Sequence, residues 1–153
     1  MSYIINFTDT KYIKWLEADN KFKAIEEVAG VFEGSAVCTN VTGLITALKE
    51  REEIMSTGIG FGIAIPHAKI ESVKEMAFAV GISKKGINFD SMDGNPVYLI
   101  ILVAAGEKQH KEYLKLLSSI MGVIKKDGVK NSIINAADAE EVIDILRAES
   151  QEK

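Results

Sequence analysis

The run "VYLIILVAA", Val97–Ala105, places nine apolar residues in a row between Pro96 and Gly106. It is far shorter than the roughly 20 residues a bilayer span needs. It also lacks the alternation of a strand with one wet face. A strand apolar on both faces belongs in the middle of a sheet covered by helices on two sides. The turn signal "SMDGN", Ser91–Asn95, leads into it.

The flanking sequence fits that placement. "MAFAVGI", Met76–Ile82, and "GIAI", Gly62–Ile65, have strand length, and "YIKWL", Tyr12–Leu16, adds an edge strand. On the N-terminal side, Asn20 caps a helix in which Phe22, Ile25, Val28, Ala29 and Phe32 form one apolar stripe, and Gly34 stops it. A second helix covers Val41 to Glu53, with Leu44, Ile45 and Leu48 on one side and Arg51 near its end. On the C-terminal side, Tyr113, Leu114, Leu117, Ile120, Met121 and Ile124 recur at helical steps until Asp127-Gly128 breaks the pattern. A last helix starts at Asp138, with Glu141 placed to reach back and Val142, Ile145 and Leu146 facing inward. Helices, a block of strands and then helices indicate an α/β sandwich: one domain over residues 1–153, with a mixed β-sheet flanked by helices on both sides.

Composition narrows the function. The chain has 153 residues, of which 47% are hydrophobic and 26% charged, as in ordinary globular domains. Its formal charge is −4 and no Lys/Arg run forms a stripe, which argues against a nucleic-acid partner. The start, "MSYIINFTDTK", lacks a basic segment followed by a long apolar one, so neither a signal peptide nor membrane insertion is expected. One cysteine, Cys38, cannot form an internal bridge, which fits a core thiol in a reducing cytoplasm. No H-E-x-x-H or comparable ligand cluster occurs, so no metal is expected.

The chemistry concentrates in "STGIGFGIAIPHAK", Ser56–Lys69. Gly58, Gly60 and Gly62 free the backbone to take positive φ angles and to offer bare amides to an anion. The G-x-G-x-G spacing matches neither the Walker loop nor the dinucleotide fingerprint, so no nucleotide cofactor is expected. Pro66 biases Ile65 toward extended geometry and presents His67 at a rigid exit. An imidazole is largely neutral near pH 7 and a competent nitrogen nucleophile. Beside free N–H donors it can accept a phosphoryl group, with a guanidinium such as Arg51 stabilising the charge. Taken alone, the same residues also fit a histidine hydrogen-bonded in a turn and an arginine complementing a helix C-terminus.

"EREEIMSTGIGFGIAIPHAK", Glu50–Lys69, resembles the signature of the mannitol/fructose-type enzyme IIA domain of the bacterial phosphoenolpyruvate-dependent sugar phosphotransferase system. "KKGINFDSMDGNPVYLIILVAAG", Lys84–Gly106, and "YLKLLSSI", Tyr113–Ile120, follow that family in order and spacing, and "LEADNKFKAIEEVA" extends the likeness toward the N-terminus. The resemblance implies a phosphohistidine intermediate at His67, needing neither metal nor nucleotide. It places the active-site arginine on Arg51 and the phosphate-holding amides from Thr57 through Gly58 and Gly60 to Gly62. It implies two protein partners: the histidine-containing phosphocarrier protein as donor and a IIB component as acceptor. A regulatory module read out by its phosphorylation state is the alternative. The family's second histidine, in H-[LI]-x-x-[LI], is replaced by Tyr113 in "YLKLL". His110, three residues earlier, or the Tyr113 hydroxyl is left to assist. Phe61, with Met55, is a candidate docking residue beside His67.

Overall fold

The computed structural model of the chain describes residues 3–150, so the domain read over 1–153 extends beyond it at both ends. Its centre is the nine-residue apolar run, which forms strand β6 (Val97–Ala105) and pairs on both sides. On one side lies the antiparallel β5 (Ala77–Ile87), which carries the parallel edge strand β1 (Ile13–Trp15). On the other side β6 has two short parallel partners in succession. β3 (Ile63–Ala64) faces Leu99 and Ile100, and β4 (His67–Lys69) faces Val103 to Ala105. Ile65 and Pro66 interrupt what would otherwise be one strand. An antiparallel β2 (Gly58–Gly60) closes the sheet beyond β3.

Alternate residues of β6 enter two separate cores. Leu99, Ile101, Val103 and Ala105 pack under α3 (His110–Ile124), α4 (Val129–Ile134) and α5 (Ala139–Glu149). Ile100, Leu102 and Ala104 pack under α1 (Lys21–Ala29) and α2 (Val41–Ile54). The two-faced burial read from the sequence is the three-layer sandwich itself. Close approach of α1 to the sheet depends on Gly81, where a Cβ would lie 2.5 Å from Val28 Cγ2.

The helix boundaries follow local chemistry. The Asn20 side chain accepts from Lys23 N, a 3₁₀ turn over Gly30–Phe32 ends the first helix, and Gly34 takes a φ of 75°. Asp138 caps α5 through Glu141 N, but the Glu141 carboxylate reaches Ala137 N, one residue further out than a capping box. The α3 stripe is rotated from the sequence reading. Leu116 and Val123 are buried with Tyr113, Ile120 and Ile124, while Leu114 is half exposed. In α5, Ile143 takes the buried place beside Val142 and Leu146, and Ile145 is only partly covered. Helix α4, absent from the sequence reading, is six residues long, too short for a periodic signal, and is held by burial of Val129 and Ile133. Cys38 is buried, its Sγ 3.6 Å from Ser72 Oγ. Among the described residues no helix is long and apolar enough to cross a membrane.

Candidate functional site

His67 opens β4, and its place in the ladder fixes what surrounds it. Val103 N donates to Pro66 O (2.9 Å) and Ile70 N to Ala105 O (3.0 Å). In a parallel ladder the residues between, His67 and Lys69, then direct their own backbone groups to the outer edge. Among the described residues strand β4 pairs with β6 alone, so no strand covers that edge. Ala68 points into the core under α1 and α2, and the period of two sends His67 and Lys69 together to the opposite face.

The imidazole is held in one tautomer. Its Nδ1 lies 2.9 Å from Ile65 O. A carbonyl only accepts, so Nδ1 carries the proton and Nε2 keeps its lone pair. Ile65 is held in turn, its N–H donating to Thr57 O at 3.0 Å. Thr57 is anchored by Glu52, whose carboxylate accepts from Thr57 N (3.0 Å) and Thr57 Oγ1 (2.5 Å). Glu52 is buried, and its Oε2 lies 3.5 Å from Lys21 Nζ, which also meets Asp90 at 3.1 Å. A chain of hydrogen bonds therefore runs from a buried carboxylate on α2 to the ring of His67.

Arg51, His67, Lys69 and Tyr113 line one open pocket of about 470 Å³ between α2 and α3, with Ala47, Ala68 and Ile70. Burial there, with the charges of Arg51 and Lys69, holds the imidazole below its ordinary 6.5, against the pull of the Ile65 carbonyl and of Glu52. The ring is thus neutral at pH 7, as a nucleophile must be. Arg51 donates from Nη1 to Met55 O at 2.7 Å, closing the end of α2. It serves as a C-terminal cap and as a cation of the pocket at once. The Tyr113 ring lies 5.7 Å from that of His67, and burial pushes its phenol up to about 12, Arg51 opposing. Its hydroxyl stays protonated and can donate.

His110 stands at the first turn of α3, outside the pocket lining. Its ring lies 6.2 Å from Tyr113, and its Nδ1 lies 2.5 Å from Lys69 Nζ. Lys69 and Glu52 were missing from the sequence reading. Strand periodicity could have found Lys69, two places after His67. For Glu52 the only signal is an acidic group in the last turn of a helix, where the dipole disfavours it.

The glycine-rich stretch differs from the open amide nest expected of it. Phe61 (φ 58°) and Gly62 (φ 78°) form the two-residue turn of a β2–β3 hairpin, both at positive φ as a type I′ turn requires. Thr57 N is bonded to Glu52 and Gly58 N to Ser56 Oγ. Gly62 O accepts from Tyr98 and Leu99, whereas His67 sits opposite Val103, about 13 Å along β6. None of Thr57, Gly58, Gly60 and Gly62 lines the His67 pocket. Phe61 and Met55 are exposed, but Phe61 is at the hairpin tip and not beside His67.

A locked neutral imidazole at a strand edge shares its pocket with an arginine, a lysine and a protonated tyrosine, an arrangement whose chemistry suits an anion. The chain belongs to the family "Phosphoenolpyruvate-dependent sugar phosphotransferase system, EIIA 2", whose model matches residues 6–149. It is 34% identical over 131 residues to the PTS system fructose-specific EIIABC component of Bacillus subtilis, covering 86% of this chain and 21% of that protein. The chain thus spans about a fifth of that relative's length. The nitrogen regulatory protein IIA-Ntr of Neisseria meningitidis has the same fold, with a TM-score of 0.83, 30% identity, and 94% and 98% of the two chains covered. So does the enzyme IIAMTL of Escherichia coli, solved in complex with phosphorylated enzyme IIBMTL, with a TM-score of 0.78, 19% identity, and 92% and 97% covered.

Proposed function

We propose that this chain is a phosphocarrier that receives a phosphoryl group on His67 Nε2 from the histidine-containing phosphocarrier protein and passes it to a IIB component. The observation that carries this reading is the Nδ1–H···O=C bond to Ile65, which leaves Nε2 as the free lone pair in a cationic pocket. As Nε2 attacks phosphorus, the P–N bond to the donor's histidine breaks and its electron pair returns to the donor ring. The Nδ1 proton of His67 stays against the Ile65 carbonyl, so the step needs no base. The transition state is loose and metaphosphate-like, so the protein acts by positioning and by charge stabilisation. Arg51 supplies a fork of donors, the Tyr113 hydroxyl one more, and the outer-edge amides of His67 and Lys69 add backbone dipoles. The onward step to IIB is the reverse displacement.

Labelled phosphoenolpyruvate, enzyme I and the phosphocarrier protein test this reading. Wild type takes up acid-labile, base-stable label, and His67→Ala takes up none. Full labelling of His67→Ala overturns the site. A regulatory role is the second reading, supported by the 30% identity to a nitrogen regulatory IIA protein. Transfer of label to a IIB protein favours transport, and phosphorylation-dependent binding without transfer favours regulation.

A further inference from the structure

Resting on the phosphocarrier reading, we infer that Lys69 is the second cation of the site. Its ammonium leaves His110 and moves onto the phosphoryl oxygens when His67 is phosphorylated. Four observations support the move. First, Lys69 follows His67 by two positions on β4, so both side chains rise from one face, with Cα atoms about 6.6 Å apart. That span lies within the reach of a lysine side chain. Second, Lys69 lines the His67 pocket, whereas His110 does not. Third, no carboxylate among the described residues holds the ammonium. It donates to His110 Nδ1 at 2.5 Å and lies 5.0 Å from the centre of the Tyr113 ring, in an exposed contact. Water competes well for such a contact, so it is readily exchanged for a stronger one. Fourth, the charges require a second cation. A bound phosphoryl group carries two negative charges on oxygen, and Arg51 offers one positive charge while already donating to Met55 O.

Before transfer, the same two cations disfavour an imidazolium and keep His67 nucleophilic. After transfer they face the dianion and hold it. His110 is then a resting place for Lys69 and not a phosphate ligand, since in the unphosphorylated protein its Nδ1 lone pair is directed at the ammonium. Tyr113, on which both rings and the ammonium converge, is the surface along which Lys69 moves.

The test compares Lys69→Met, Lys69→Arg and His110→Ala with wild type in the labelling assay. It adds nitrogen-15 histidine spectra before and after phosphorylation. Lys69→Met is expected to label about tenfold or more slowly, as the loss of one charge-assisted hydrogen bond implies. Its phosphohistidine should hydrolyse faster, and its free His67 should titrate at higher pH than in wild type. Lys69→Arg should recover most of the rate. His110→Ala should label within about threefold of wild type, because it removes only the resting partner. Phosphorylation of wild type should shift the His110 Nδ1 resonance as the ammonium departs. Wild-type rates of labelling and hydrolysis in Lys69→Met, or a His110 resonance unmoved by phosphorylation, overturn the role of Lys69 and leave the phosphocarrier reading standing. Absence of label in wild type overturns both.

Discussion

The two ends of the β3–Pro66–β4 segment make opposite use of the same backbone. At the hairpin end three glycines lie within five residues, yet the amides of Thr57, Gly58 and Phe61 are bonded to Glu52, Ser56 and Asp93. At the His67 end there is no glycine, yet the ladder leaves backbone groups pointing outward from an open edge. Glycine reports freedom of φ, whereas a free donor is reported by the pairing pattern. A glycine-rich stretch beside a nucleophile therefore marks a tight turn as readily as an anion cradle, and only the register tells which.

The sharpest way to break the contrast is at Arg51. Arg51→Met removes the planar fork from the pocket and is expected to slow labelling of His67 by about 100-fold or more, on the scale of other preorganised donors. It should move the acid limb of the rate upward, because a cation that holds the imidazole below its ordinary 6.5 is gone. A rate within a few fold of wild type would place phosphate stabilisation elsewhere.

Glu52 tests how the hairpin end supports the histidine end. Glu52→Ala leaves Thr57 N and Oγ1 buried without their acceptor and takes from Lys21 one of its two carboxylate partners, a loss of about 2–4 kcal/mol read by urea unfolding. His67 labelling per folded molecule should also fall as the Ile65 carbonyl loosens. Unchanged stability would show that the carboxylate anchors nothing.

The smallest effect on labelling is expected at Gly58. A Cβ there would lie 2.3 Å from Ser91 Oγ and 3.1 Å from Ser91 Cα, so Gly58→Ala should cost about 1–3 kcal/mol of stability. Labelling per folded molecule should stay at the wild-type rate, because the Gly58 amide is bonded to Ser56 Oγ and Gly58 lies outside the His67 pocket lining. A selective loss of labelling at full stability would restore the amide cradle and erase the contrast.

Much of the fold was legible in the sequence. The nine-residue apolar run fixed a central strand, because only a sheet covered on both faces can bury every side chain of such a segment. Asn20 and Asp138 marked helix starts because a side-chain oxygen there satisfies an otherwise unpaired amide. Among the short elements, β3 was legible within "GIAI" and β1 within "YIKWL". Strands β2 and β4, of three residues each, and α4, of six, were not, because no period can declare itself within them. Strand β4 depends on β6, far away in the chain, and β2 on a tight hairpin with β3 that is itself anchored to β6.

For the site, local order was enough to single out His67, since proline followed by histidine after an apolar strand presents a ring at a rigid exit. Arg51 emerged from the same stretch because the resemblance places the family's arginine there. The tautomer of His67, the buried Glu52–Thr57–Ile65 chain behind it and the place of Lys69 in the pocket were decided by tertiary structure, which also put Tyr113 in the pocket lining and His110 outside it, a choice the sequence had left open. Those relations are set by strand register and by the packing of α2 and α3 around one open edge. Residues from position 47 to position 113 meet there only once the sheet is assembled.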